Sequence, residues 1–144
     1  VPESSQHQDL IVRTIDHVGQ RFGGLYSLRI RHDLPQLIGS DKPPRIGGFT
    51  PDIYAFDTPL TLTIIGEAKT PQDLETDHSR SQLKAFIEYL IGQPRGVFIL
   101  AVNFTRTPAA RRVLSTVRRQ VGRPDPNLEI FVLDELQLTP FIWD

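Results

Sequence analysis

The chain has 144 residues and no cysteine, and its 16 basic and 17 acidic side chains leave a formal net charge of −1. That length suits a single domain, 1–144, which buries roughly 68–70% of the surface its unfolded chain exposes and needs no disulfide or structural metal to fold. The missing cysteines exclude a disulfide framework, a thiolate zinc site and a thiol nucleophile, and the near-zero charge excludes coating of nucleic acid by bulk charge.

No apolar run approaches the ~20 residues that span a bilayer, and the start, Val1-Pro2-Glu3-Ser4-Ser5, has neither the basic nor the apolar part of a signal peptide. The expectation is a cytoplasmic domain with no membrane partner.

Residues 6–22 read as a helix, because Ile11, Ile15, Val18 and Phe22 recur at helical spacing. Ser5 followed by Gln8 resembles a capping box, and Gly23-Gly24 stops the helix. Residues 25–32 alternate, with Tyr26, Leu28 and Ile30 against Ser27, Arg29 and Arg31, as in a half-buried strand. Asp33 to Thr50 is irregular and rich in proline and glycine, of a length usually found in functional or disordered loops. Asp52–Phe56 and Leu60–Lys69 are rich in β-branched and aromatic residues, and the short link Asp57-Thr58-Pro59 makes them an antiparallel hairpin.

Leu83, Phe86, Ile87, Leu90 and Ile91 place a second helix over 79–91. Gly96–Asn103 is a nearly continuous apolar run, as in a strand buried on both faces. Thr107-Pro108 opens a third helix, whose inner stripe is Val113, Leu114, Val117 and Val121 and which Gly122 ends. Glu129–Leu133 is a further short buried strand. The order α-β-β-β-α-β-α-β predicts an α/β fold, a mixed sheet covered by helices on both sides.

Alternation along the hairpin's second strand puts Glu67 and Lys69 on one face, with Gly66 and Ala68 on the other beside Ile64. Charged groups seldom end an apolar strand unless they are paired or functional. Asp52 opens the partner strand and comes within reach of Glu67. Two converging carboxylates suit a hard cation such as Mg²⁺, which polarises a phosphate oxygen and acidifies a bound water. Lys69 is placed to orient that water or to stabilise charge on the phosphoryl group.

Pro51-Asp52, the hairpin, Glu67-Ala68-Lys69 and the helix after them resemble the PD-(D/E)xK nuclease superfamily, which includes type II restriction enzymes, archaeal Holliday-junction resolvases and repair nucleases. The resemblance implies a restriction-endonuclease-like α-β-β-β-α-β core over residues 6–103, with a helix and a strand added at the C-terminal side. It implies a Mg²⁺-dependent deoxyribonuclease, Mn²⁺ substituting, in which Asp52, Glu67 and the Ala68 carbonyl hold the metal and Lys69 assists the water. Gln82, in Ser81-Gln82-Leu83-Lys84, matches a glutamine that many members carry, and Asp9 is the choice for the acid of the first helix.

Plainer readings stand beside these. Glu67 and Lys69 form a salt bridge at a strand end, Ser79-x-x-Gln82 is a capping box, and Asp9 is a first-turn acid paired with Arg13. His7, His17, His32 and His78 show no metal-ligand spacing and read as surface or capping residues. Arg111 and Arg118 are seven residues apart on the third helix, as are Arg112 and Arg119, either to neutralise phosphates of DNA or as a solvated face. Lys42 and Arg45, near the site in sequence, are the better candidates for backbone contacts.

The alternative function is a catalytically silent nuclease-fold module that binds nucleic acid or acts as a scaffold in a larger assembly. The apolar end Leu138–Asp144 either packs on the domain's own sheet or meets a second copy of the chain as a homodimer. Substrate choice is left to loops or to a partner protein.

Overall fold

The computed structural model describes residues 5–24, 27–34, 41–122, 125–135 and 137–142. The helical stripes read from sequence become α1 (Ser5–Phe22), α2 (Asp77–Ile91) and α3 (Thr107–Val121). The strands are β1 (Leu28–His32), β2 (Ile53–Asp57), β3 (Thr63–Ala68), β4 (Gly96–Ala101), β5 (Leu128–Leu133) and β6 (Leu138–Phe141). They form one six-stranded sheet in the order β1-β2-β3-β4-β5-β6. β3-β4 and β4-β5 are parallel pairs, whereas β1-β2, β2-β3 and β5-β6 are antiparallel. The chain is thus an α/β protein with a mixed sheet and helices packed on it.

Both parallel connections run through helices on the same side. Leu83, Phe86, Ile87 and Leu90 of α2, with Val113, Leu114 and Val117 of α3, cover Ile65, Phe98, Leu100, Ile130 and Val132. On the opposite face Leu10, Ile11, Val18 and Phe22 of α1 cover Ile53, Ala55, Ile64, Val97, Ile99 and Phe131. β3 and β4 are buried along their whole length, which explains why the second reads as an unbroken apolar run. Among the described residues, no helix is long and apolar enough to cross a membrane.

Several boundaries move for physical reasons. α2 starts at Asp77, because the Thr76 side chain accepts from Ser79 N and serves as the N-cap. Ser79-x-x-Gln82 is therefore not a capping box. The C-terminal apolar segment adds β6 to the edge of the sheet, where Pro140 is tolerated for want of a required donor. Part of the irregular stretch, 35–40, lies outside the described residues, as do 25–26 and Trp143-Asp144.

The hairpin link is longer than its sequence suggests. β2 includes Asp57, and β3 begins only at Thr63. Asp57 is buried and acts as the turn's acceptor: Oδ1 takes the N–H groups of Thr61 and Leu62 at 2.7 and 3.0 Å, and Oδ2 takes the Thr61 hydroxyl. Leu60 at the tip adopts φ +59°, which a side chain with a Cβ seldom does. Burial raises the Asp57 carboxyl, but the bonds from Thr61 and Leu62 outweigh it and hold the group below its ordinary value.

A lowered folded value means stabilisation present above the ordinary carboxylate range and lost as pH falls through the folded value. Asp57→Ala is expected to cost about 2 kcal/mol at pH 7 in urea unfolding. The gap to the parent protein should narrow in acid; a gap that stays constant down to pH 2 contradicts the charged-acceptor role.

Candidate active site

The register of the hairpin builds the site. Ile53 pairs with Gly66 across β2 and β3, so the next residues outward, Asp52 and Glu67, face each other at the hairpin's open end. Two crossed bonds fix them: Asp52 N donates to Glu67 Oε1 at 3.0 Å, and Ala68 N donates to Asp52 Oδ2 at 2.9 Å. Both acids sit at the carboxyl end of β3, which pairs in parallel with β4, the edge where α/β sheets open their crevices.

Glu67 and Lys69 point toward the α2 side, as alternation requires. Lys69 Nζ lies 3.5 Å from Glu67 Oε2 and donates to Gln82 Oε1 on the second turn of α2. Lys69 N also donates to Ala101 O at 3.0 Å, which holds the lysine's backbone against the end of β4.

From the other face α1 brings His7. Its Nε2 lies 3.0 Å from Ala68 O and 3.3 Å from Asp52 Oδ2. Gly66 permits this approach, because a Cβ there would stand 3.1 Å from Thr14 Cγ2 and 3.3 Å from Ile53. The site therefore draws groups from both helical layers around one strand end.

Burial sharpens the electrostatics. Glu67 is 3% exposed and Lys69 8%. Burial raises the Glu67 carboxyl well above its ordinary value, and the neighbouring Asp52 charge and their shared hydrogen bond raise it further. Lys69 and the Asp52 N–H oppose that rise without cancelling it. Burial also raises Asp52, but the bonds from His7, Glu67 and Ala68 N and the His7 charge leave it below its ordinary value. The two carboxyls are thus pushed in opposite directions, Glu67 upward and Asp52 downward.

The other sequence candidates lie apart from this group. Asp9 is exposed, and no hydrogen bond or ion pair of the site involves it; Arg13 does not pair with it but donates to Glu135 O at 3.2 Å. Lys42 is exposed and lies 3.7 Å from Asp33, and Arg45 donates to Gly48 O at 2.6 Å. Arg111 and Arg118 are half-buried, whereas Arg112 and Arg119 are exposed. Arg112 and Arg106 converge on Glu75 at 3.2 and 3.6 Å, so part of the basic stripe is already paired.

His7 is the site residue that spacing among histidines did not find. A signal was present, since His7 precedes Ile11 by four positions and Thr14 by seven and so extends the buried stripe of α1. Grooves of about 310 and 260 Å³ lie beside Phe131 and Phe141 and beside Tyr54 and Tyr89, away from these acids. Chemistry rather than concavity identifies this site.

The donor set fits a hard divalent cation. Among the described residues no three His, Asp or Glu side chains form a metal cage, but Mg²⁺ commonly takes one or two carboxylates and keeps several waters. Asp52, Glu67 and the Ala68 carbonyl are the groups able to hold it. The chain matches no family model, no curated protein and no solved structure.

A raised folded value means stability that is full below the ordinary glutamate range and falls as pH rises toward the folded value. Glu67→Gln, in the presence of chelator, is therefore expected to melt above the parent protein at pH 8, with the difference shrinking toward pH 4. Equal melting curves across that range contradict a raised Glu67 carboxyl.

Proposed function

We propose that this chain is a metal-dependent nuclease domain of the PD-(D/E)xK type, with a restriction-endonuclease-like core, that hydrolyses DNA phosphodiester bonds. The observation that carries the reading is the meeting of Asp52, Glu67, Lys69 and Gln82 at the end of one buried strand. A surface salt bridge needs none of this, because an exposed pair contributes only about 0–1 kcal/mol and tolerates any geometry.

When bound, the cation polarises a phosphate oxygen and lowers the pKa of a coordinated water. The chain's own part is positional. Asp52 and Glu67 are aimed by main-chain N–H groups, so they keep their orientation without a ligand. Gln82 and Glu67 hold the Lys69 ammonium, which donates toward the attacking oxygen or toward charge building on the phosphoryl group. Burial strengthens each of these charges relative to water. Lys42 and Arg45 are exposed, and the weak ion pair of Lys42 with Asp33 is easily exchanged for a phosphate.

The test is cleavage of labelled duplex, single-stranded, flap and four-way-junction DNA with Mg²⁺ or Mn²⁺. Lys69→Ala is expected to lose about 10²–10³-fold in rate, and Asp52→Asn to lose cutting and metal binding together. If folded protein neither cuts nor binds metal by calorimetry with DNA present, the silent scaffold reading replaces this one.

A further inference from the structure

We propose that the α2-side face of β1 and β2 is a stacking platform for single-stranded DNA, which makes a single strand, free or as the arm of a flap, the substrate form offered to the site. The proposal deepens the nuclease reading and rests on it for cleavage, but not for binding.

Register places four side chains on that face. Arg31 pairs with Tyr54 and Arg29 with Phe56 across β1 and β2, and directly paired residues project from the same side. Tyr54 in turn pairs with Ile65, two residues before Glu67, so all four share the face that carries Glu67 and Lys69. Burial alternates accordingly: Ile53, Ala55 and Asp57 are buried, whereas Tyr54 and Phe56 are half-buried. At ~3.3 Å per residue, Tyr54 stands about 7 Å and Phe56 about 13 Å along the strand from Asp52. A strand stacked there has its backbone close to the acids.

The groove on this face is built of rings and a guanidinium. The Tyr54 ring lies 5.9 Å from that of Phe56 and 6.3 Å from that of Tyr89, whose hydroxyl it meets at 2.9 Å. The Arg31 guanidinium lies over Phe56 at 5.1 Å, and Pro44 and the exposed Leu60 complete the walls. The volume, about 260 Å³, falls below the ~300–1,000 Å³ of pockets that enclose drug-sized ligands. An open row of flat surfaces suits splayed bases instead.

Charge selects the occupant. Among the described residues no carboxylate pairs with Arg29 or Arg31. Asp57 belongs to the opposite face, and Glu88, beside Tyr89 in the chain, pairs with Lys84 at 2.9 Å. The loop that supplies Pro44 carries Lys42 and Arg45 on either side of it. A proline-rich peptide also fits an aromatic groove, but these cations favour a polyanion. In a duplex the bases cover one another's faces, whereas a single strand can lay them on aromatic rings and on guanidinium planes.

Fluorescence anisotropy in EDTA, with labelled oligothymidylate and with a duplex of equal length, tests the platform. The proteins are the parent chain, Phe56→Leu, and Arg29→Gln combined with Arg31→Gln. Phe56→Leu keeps an apolar side chain at a half-buried position and removes the ring. The parent is expected to bind the single strand more tightly than the duplex. Phe56→Leu should weaken single-strand binding about 5–150-fold, the share of one stacked base, and leave duplex binding unchanged. The arginine variant should lower the slope of log affinity against log salt by about 0.7 for each lost phosphate contact.

A parent that binds duplex as tightly as single strand, or folded variants that bind the single strand like the parent, overturns the platform. So does a proline-rich peptide that oligothymidylate fails to displace. If duplex is cut with Mg²⁺ or Mn²⁺ while single strands are neither bound nor cut, the platform fails and the nuclease stands. If the platform binds as expected and no DNA is cut with either metal, the nuclease reading fails and the platform stands.

Discussion

At the open end of the β2–β3 hairpin, each carboxylate is held by the other's strand: the Asp52 N–H by Glu67, and the Asp52 carboxylate by the Ala68 N–H. This crossed clamp closes the hairpin where the ladder would otherwise fray. It also forces two acids into one buried space, which charge repulsion would forbid in the absence of compensation. Compensation comes from the Lys69 ammonium beside Glu67 and the His7 imidazole beside Asp52, and burial raises the Glu67 carboxyl. The site is assembled by backbone bonds first and balanced electrically second.

The clamp depends in turn on how closely the layers meet. On one face, Lys69 reaches Gln82 because Leu83 and Phe86 seat α2 on the sheet. On the other, α1 reaches the strand end because Gly66 leaves room for Thr14. Core packing and site geometry are therefore one problem. A methyl group at position 66, next to Glu67 in the chain, would meet Thr14 at 3.1 Å and Ile53 at 3.3 Å and so press on the helix that carries His7.

Much of this arrangement is legible in the sequence where a period governs it. Alternation placed Glu67 and Lys69 on one face, and the helical stripes located α1, α2 and α3 to within two residues at each end. The hairpin brought Asp52 opposite Glu67. What escaped was set by single contacts without a period. Thr76, not Ser79, caps α2, because its hydroxyl accepts from Ser79 N and so starts the helix two residues earlier. Asp57 became a buried turn acceptor because its carboxylate satisfies three donors at once. β6 escaped because Leu138–Phe141 is short and contains Pro140, which only an edge position tolerates. His7 shows no sign in the spacing of the histidines, and only its contacts with Ala68 O and Asp52 set it apart.

The strand order has a consequence of its own. Every neighbour in the sheet is also the neighbour in the chain, from β1 through β6. No strand must be inserted between two that have already paired, so the sheet can grow by addition at one edge as the polypeptide emerges from the ribosome. The hairpin acids, the lysine and the glutamine that meets it all fall between Asp52 and Gln82, before α3 and β5 have been synthesised. Such a sheet presents, besides its fixed β1 edge, a single growing edge during translation, and that limits the exposed pairing surface from which misassembly starts.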